Sequence, residues 1–161
     1  MDEQKKNLPI LLYHAIDPGG KKRERYAVGR EEFEKQLEYL HQNDFATFTL
    51  DVFFKTERRN RESQRGRKEI VLSFDDGYLS DYTFSLPMLM RFGFKAVFFV
   101  TTGRIGTPDY VNWEQLKEMT EKGMSIQSHG VSHSFLSEMN EEQMDALIEK
   151  ALQVAKIRSG R

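Results

Sequence analysis

The sequence predicts an α/β fold built on a parallel sheet, and three observations carry that prediction. Short apolar runs at Leu8–Tyr13, Ile70–Phe74 and Ala96–Val100 have the length of buried strands. Segments with apolar residues at helical spacing alternate with them, as strand–helix–strand units require. Carboxylates and histidines follow directly on two strand-like runs, where open α/β sheets and barrels place their sites. The 161 residues suit one domain, since domains commonly run ~100–200 residues.

The elements follow in order. Leu8–Tyr13 is expected to be a buried strand, and Asp17-Pro18-Gly19-Gly20 a turn. Phe33, Leu37 and Leu40, separated by charges, give an amphipathic helix over Arg30–Asn43. Ala46–Leu50 reads as a short strand. Lys55–Glu69 carries seven Lys or Arg against three Glu and reads as a solvated loop or helix end. Ile70–Phe74 is a second buried strand, followed by Asp75-Asp76-Gly77. Ser80–Phe92 is helical, with Pro87 marking a start or a kink and Gly93 closing it. Ala96–Val100 is a third strand. Asn112 caps a helix bearing Leu116 and Met119, which stops at Gly123. Met124–Ser128 is a fourth strand, ending at His129. Asn140 caps a last helix with Met144, Leu147, Ile148, Ala151, Leu152 and Ala155 on one face.

Composition narrows the function. Hydrophobic residues make up 39% and charged residues 30%, a globular balance. The formal net charge of -1 gives no general bias toward polyanions. The basic stretch Lys55–Lys68 lacks interleaved aromatics for stacking on bases, so it reads as a solvated loop and no nucleic-acid partner is expected. No run approaches the ~20 apolar residues of a membrane span. Leu8–Tyr13 is too short for a signal-peptide core of ~7–15 residues. With no cysteine present, any metal must be held by His, Asp or Glu.

Two motifs carry chemistry. In Ser73-Phe74-Asp75-Asp76-Gly77, two carboxylates follow a strand, and Gly77 lets the chain turn so that both can face one cavity. Two carboxylates in one site do not both ionise cheaply, and a cation removes that cost. A solvated Asp-Gly turn is the alternative. In Ser128-His129-Gly130-Val131-Ser132-His133, two of the four histidines stand four apart, as on one face of a helical turn. Two unrelated polar histidines are the alternative. A metalloprotease is disfavoured, because Gly130 stands where an H-E-x-x-H site needs its Glu. Taken together, Asp76, His129 and His133 form an Asp/His/His set with an open position, the pattern of a catalytic metal site.

In this combination the chain resembles the NodB-homology polysaccharide deacetylases, carbohydrate esterase family 4. Leu72–Gly77 is similar to that family's first motif and Ser128–His133 to its second. Phe94–Val100, Trp113–Leu116 and the opening Leu11-Leu12-Tyr13-His14 resemble the segments around them, so the likeness runs from Leu8 to about Leu152. The resemblance implies a distorted (β/α) barrel. It implies a zinc or similar divalent ion on Asp76, His129 and His133, with Asp75 as general base. The implied reaction removes N-acetyl groups from amino sugars in a polysaccharide, releasing acetate. It also implies a cell-surface or extracellular setting, although no signal peptide is legible.

Departures are equally specific. No proline has an arginine two positions earlier, so the family's third motif is absent, as are its later Asp–Trp and Leu–His motifs. One branch, acting on poly-N-acetylglucosamine, carries its acid histidine near the N-terminus, and His14 resembles that placement. The alternative is a polar strand end. His41, near a helix C-terminus, reads as structural. A closed eight-unit barrel usually needs ~200 residues or more. The chain is therefore expected to be one domain over 1–161, a partial (β/α) barrel lacking its C-terminal units. A small complete α/β domain is the alternative. A partial barrel should also self-associate through exposed edges. The functional rival is an inactive remnant that keeps metal or glycan binding.

Overall fold

The computed structural model describes residues 8–17, 26–50, 52, 67–134 and 136–159. Strands β1 (Ile10–Tyr13), β2 (Ile16–Asp17) and β3 (Val28–Gly29) precede helix α1 (Arg30–Gln42) and β4 (Phe45–Thr47). The long strand β5 (Lys68–Asp76) leads to a π-helical turn, Asp81–Ser85, that runs into α2 (Leu86–Arg91). Strand β6 (Val97–Val100), a 3-10 turn at Thr102–Arg104, α3 (Trp113–Glu121) and β7 (Ser125–Ser128) come next. A 3-10 turn at Leu136–Glu138 and α4 (Glu141–Ser159) complete the order.

The main sheet runs β1-β5-β6-β7, with β4 also on β5, and every pairing is parallel. The expected α/β class with a parallel sheet is therefore observed. Because the strands are parallel, their C-terminal ends share one edge of the sheet. A separate parallel pair, β2 with β3, was not legible in the sequence.

Register explains the core. Tyr13, Phe74, Phe98 and Ile126 lie opposite one another across four strands, and all are buried. Tyr13 stacks on Phe74 at 5.1 Å, and Phe74 on Phe98 at 4.7 Å. Phe33 of α1 meets both Tyr13 and Phe74 edge-on, at 5.2 and 5.8 Å. Such aromatic pairs contribute about 0.5–1.5 kcal/mol beyond their burial. Burial also pushes the Tyr13 hydroxyl up to about 12, while it donates to Gln36 Oε1 at 2.9 Å. Helix α1 buries Phe33, Leu37 and Leu40, the stripe its spacing predicts. Helix α3 begins with a reciprocal capping box between Asn112 and Gln115. Gly123, at φ +84°, takes the left-handed turn that ends it.

Several expectations need correction. β1 is not a buried strand: Ile10, Leu11 and Leu12 are exposed, and only Tyr13 is enclosed. An apolar run at a sheet edge reads the same as one inside the sheet. The last helix buries Val154 and half-buries Met144, Leu147 and Ala151, whereas Ile148, Leu152 and Ala155 face solvent. Ser80–Phe92 is not one regular helix, because the π turn Asp81–Ser85 precedes α2, with Pro87 in the first turn of α2. Lys68 and Glu69 are not loop but the start of β5. The expected turn at Pro18–Gly20 and most of the charged stretch, residues 55–66, lie outside the described residues. His41 lies in the last turn of α1 against Phe92 and Phe94, at 5.7 and 6.2 Å, a packing role.

Candidate metal centre and active site

The same register builds the site. One step beyond the aromatic row, His14 follows β1 and Asp75 lies opposite Phe99, which lies opposite Gln127. Two steps beyond, Asp76 lies opposite Val100, and Val100 opposite Ser128. The ladder continues past the strands: Thr101 N donates to Asp76 O at 3.1 Å, and His129 N donates to Val100 O at 2.8 Å. Three strand ends thus bring His14, Asp75, Asp76 and His129 to one edge of the sheet.

The sheet then hands the chain to strained turns. Asp76 has φ +79° and His133 φ +62°, conformations that typically cost about 1–3 kcal/mol in a non-glycine residue. The turn after β5 therefore starts at Asp76 itself, one residue earlier than its glycine suggests. Residues 129–134 form no helix, so the two histidines do not share a helical face as expected. The left-handed turn at His133 brings its imidazole to Asp76 instead.

Asp76 Oδ1 lies 3.8 Å from His129 Nε2 and 3.3 Å from His133 Nε2. One ligand atom from each of the three residues lies within 4.8 Å of the others. Bonds of ~2.0–2.1 Å to a tetrahedral zinc put neighbouring ligand atoms roughly 3.3–3.4 Å apart. The set therefore fits a small divalent ion with modest closure around His129. Two imidazoles and one carboxylate are also the borderline donors such an ion favours. The Asp76 side chain is 14% exposed and that of His133 54%, so the open face lies on the histidine side.

The loop that carries the histidines is pinned from β6. Thr102 N and its hydroxyl both donate to Gly130 O, at 2.9 and 3.0 Å. Gly103 N donates to Val131 O at 2.9 Å. A Cβ at Gly103 would stand 2.5 Å from that oxygen, so only glycine permits this approach. Gly77 is similarly constrained, since its Cβ would meet the Val100 side chain at 2.9 Å.

Asp75 is partly buried beside these groups. Burial pushes its carboxyl above the usual range and Asp76 adds to that, while the imidazoles of His129, His14 and His133 oppose it. A carboxylate held this way is a better proton acceptor than one in water. That His14 acts on Asp75 places its imidazole in the same electrostatic environment. Its ring also lies 5.2 Å from that of Tyr26.

Sequence reasoning missed a third carboxylate. Asp81 is 1% exposed, and neither of its oxygens has a hydrogen-bond partner. Burial raises it well above the ordinary range, and the charges of Asp76 and Asp75 raise it further. An acidic residue at a helix start ordinarily reads as a favourable exposed charge, so no signal marked it. Thr102 and Gly103 were missed as well, because a tertiary contact with a distant loop leaves no local pattern.

Comparison with known proteins places the chain. Residues 62–160 match the family model described as polysaccharide deacetylase. The Bacillus subtilis protein YxkH, assigned to the polysaccharide deacetylases, is 33% identical over 89% of this chain and 50% of its own length. A Staphylococcus epidermidis poly-beta-1,6-N-acetyl-D-glucosamine N-deacetylase is 28% identical over 78% of this chain and 44% of its own. The chain thus spans about half the length of the curated relatives it matches. Among solved structures, the Streptococcus pyogenes deacetylase PplD superposes with a TM-score of 0.80 at 24% identity, over 96% of this chain and 70% of that one. IcaB from Ammonifex degensii gives 0.70 at 26% identity, with the same coverage. These likenesses identify the open parallel sheet as part of a NodB-type (β/α) barrel. The chain belongs to the polysaccharide deacetylase family.

Proposed function

We propose that this chain is a metal-dependent hydrolase that removes N-acetyl groups from amino sugars in a polysaccharide. The observation that supports it is the convergence of Asp76, His129 and His133 on one point, beside the partly buried Asp75. The Staphylococcus epidermidis relative is named for an N-acetylglucosamine polymer, which supports a substrate of that class.

Asp76, His129 and His133 would hold the ion, with zinc the best match to their donors. Such an ion, when bound, supplies Lewis acidity toward an acetamide carbonyl and makes water acidic enough to react near neutral pH. Asp75 accepts the proton of the attacking water at its carboxylate, and its half-buried position keeps it basic enough to do so. His14 donates a proton to the departing sugar nitrogen as the C–N bond breaks. The water oxygen has by then already bonded to the carbonyl carbon, so cleavage leaves acetate and a free amine.

Acetate release from N-acetylglucosamine oligomers, with added zinc and after chelation, tests the reading. Release should stop on chelation and return with zinc. Asp75→Asn should lower the rate by about 10²–10⁴-fold. A protein that retains zinc but releases no acetate would instead be a binding remnant.

A further inference from the structure

We propose that Tyr26 is the positioning residue of His14: its ring fixes the imidazole at the sheet edge where Asp75 stands. The proposal rests on the deacetylase reading for the acid role of His14, but the contact itself is read from the fold. Tyr13 lies opposite Phe74, so one further step places His14 beside Asp75. His14 and Ala15 link β1 to β2 and belong to neither strand. Among the described residues, no hydrogen bond holds the His14 ring.

The small second sheet supplies the hold. β2 and β3 run parallel, with Ile16 opposite Val28 and Asp17 opposite Gly29. Val28 N donates to Ala15 O at 3.0 Å, which carries the ladder one residue back. Two steps back from Ile16 and Val28, the same register sets Tyr26 beside His14. Their ring centroids lie 5.2 Å apart with planes at 33°, close to the ~4.7–4.9 Å between neighbouring strands. The ribbon is tied in turn to the metal side of the site. Ile16 N donates to Ser80 Oγ at 3.1 Å, on the turn that follows Asp76. His14 therefore stands on a backbone held on both sides, at Tyr13 and at Ile16. The freedom left to it is rotation of the imidazole about its side-chain bonds, and the Tyr26 ring restricts that rotation.

Core packing does not account for Tyr26. It is 60% exposed and stands apart from the hydrophobic core, whereas Tyr13, the aromatic next to His14 in the chain, is 5% exposed. A proton donor must reach the leaving nitrogen at hydrogen-bond distance, and a misplacement of ~1 Å can cost about a hundredfold in rate. A ring placed against the imidazole is what such a donor needs.

The test compares Tyr26→Leu and Tyr26→Phe with the unaltered chain, with zinc added, on N-acetylglucosamine pentamer and on 4-nitrophenyl acetate. The sugar amine needs a proton to leave, whereas nitrophenolate departs without one, so only the first reaction uses His14. Tyr26→Leu should lower kcat on the pentamer by about ten- to a hundredfold with KM little changed, and leave the ester within about twofold. Tyr26→Phe, which keeps the ring, should restore the pentamer rate. An equal loss on both substrates, no loss on the pentamer, or a loss that persists in Tyr26→Phe would overturn the proposal. The His14 ring resonances in NMR spectra, assigned with His14→Gln, are read independently of turnover. They should move toward those of free histidine in Tyr26→Leu and stay in place in Tyr26→Phe. If they do so in a chain that releases no acetate, the contact stands and the deacetylase reading alone falls. Resonances that stay in place in Tyr26→Leu overturn the positioning role even where acetate is released.

Discussion

Asp81 is a buried acid with no hydrogen-bond partner on either oxygen, close to two other carboxylates. Its folded-state pKa is raised, so the native protein holds this proton more tightly than the unfolded chain does. The stability it contributes is present below the ordinary carboxyl range near 4 and is lost as pH rises through the raised value. Asp81→Asn should therefore stabilise the metal-free protein at pH 8, by about 1–3 kcal/mol, and change little at pH 4. Thermal melts at the two pH values check this, and an equal effect at both would contradict it. At this scale the sequence was informative where residue types that imply chemistry combine. Two adjacent carboxylates and a spaced histidine pair each have an ordinary alternative and were legible only in combination, and Asp76, His129 and His133 do come together in the structure. The left-handed backbone at Asp76 and His133 was not legible, since neither residue type demands it. Asp81 was hidden because burial is a property of the fold.

Gly103 shows how one element positions another. Its amide holds Val131 O, and the missing Cβ lets the two backbones meet. Gly103→Ala should push the histidine loop away, destabilising the protein by about 1–3 kcal/mol. Zinc affinity should fall by tenfold or more, which a titration alongside a thermal melt can read. A variant with wild-type affinity would show that the loop does not need this clamp. Helices α1 and α3 were legible because caps and apolar spacing agree along each. β1 and α4 were misjudged for a different reason. Each carries more apolar residues than its neighbours cover, and only the packing selects Tyr13 in the strand, or Met144, Leu147, Ala151 and Val154 in the helix.

For the molecule as a whole, the class was readable but the strand order was not. β1 and β5 pair across more than fifty intervening residues, a choice that composition cannot express. Apolar side chains remain uncovered on several elements, among them Ile10, Leu11 and Leu12 on β1 and Ile148 and Leu152 on α4. Edges of this kind favour association. Sedimentation should show oligomers forming with concentration, reduced by Ile148→Lys with Leu152→Lys. A single monomeric species at every concentration would contradict this. Zinc titration of the purified chain, beside Asp76→Ala, His129→Ala and His133→Ala, tests the metal centre most directly. One ion should bind per chain, with each substitution weakening it by about a hundredfold or more. Zinc binding that survives all three substitutions, or fails in the unaltered chain, would contradict a shared metal site.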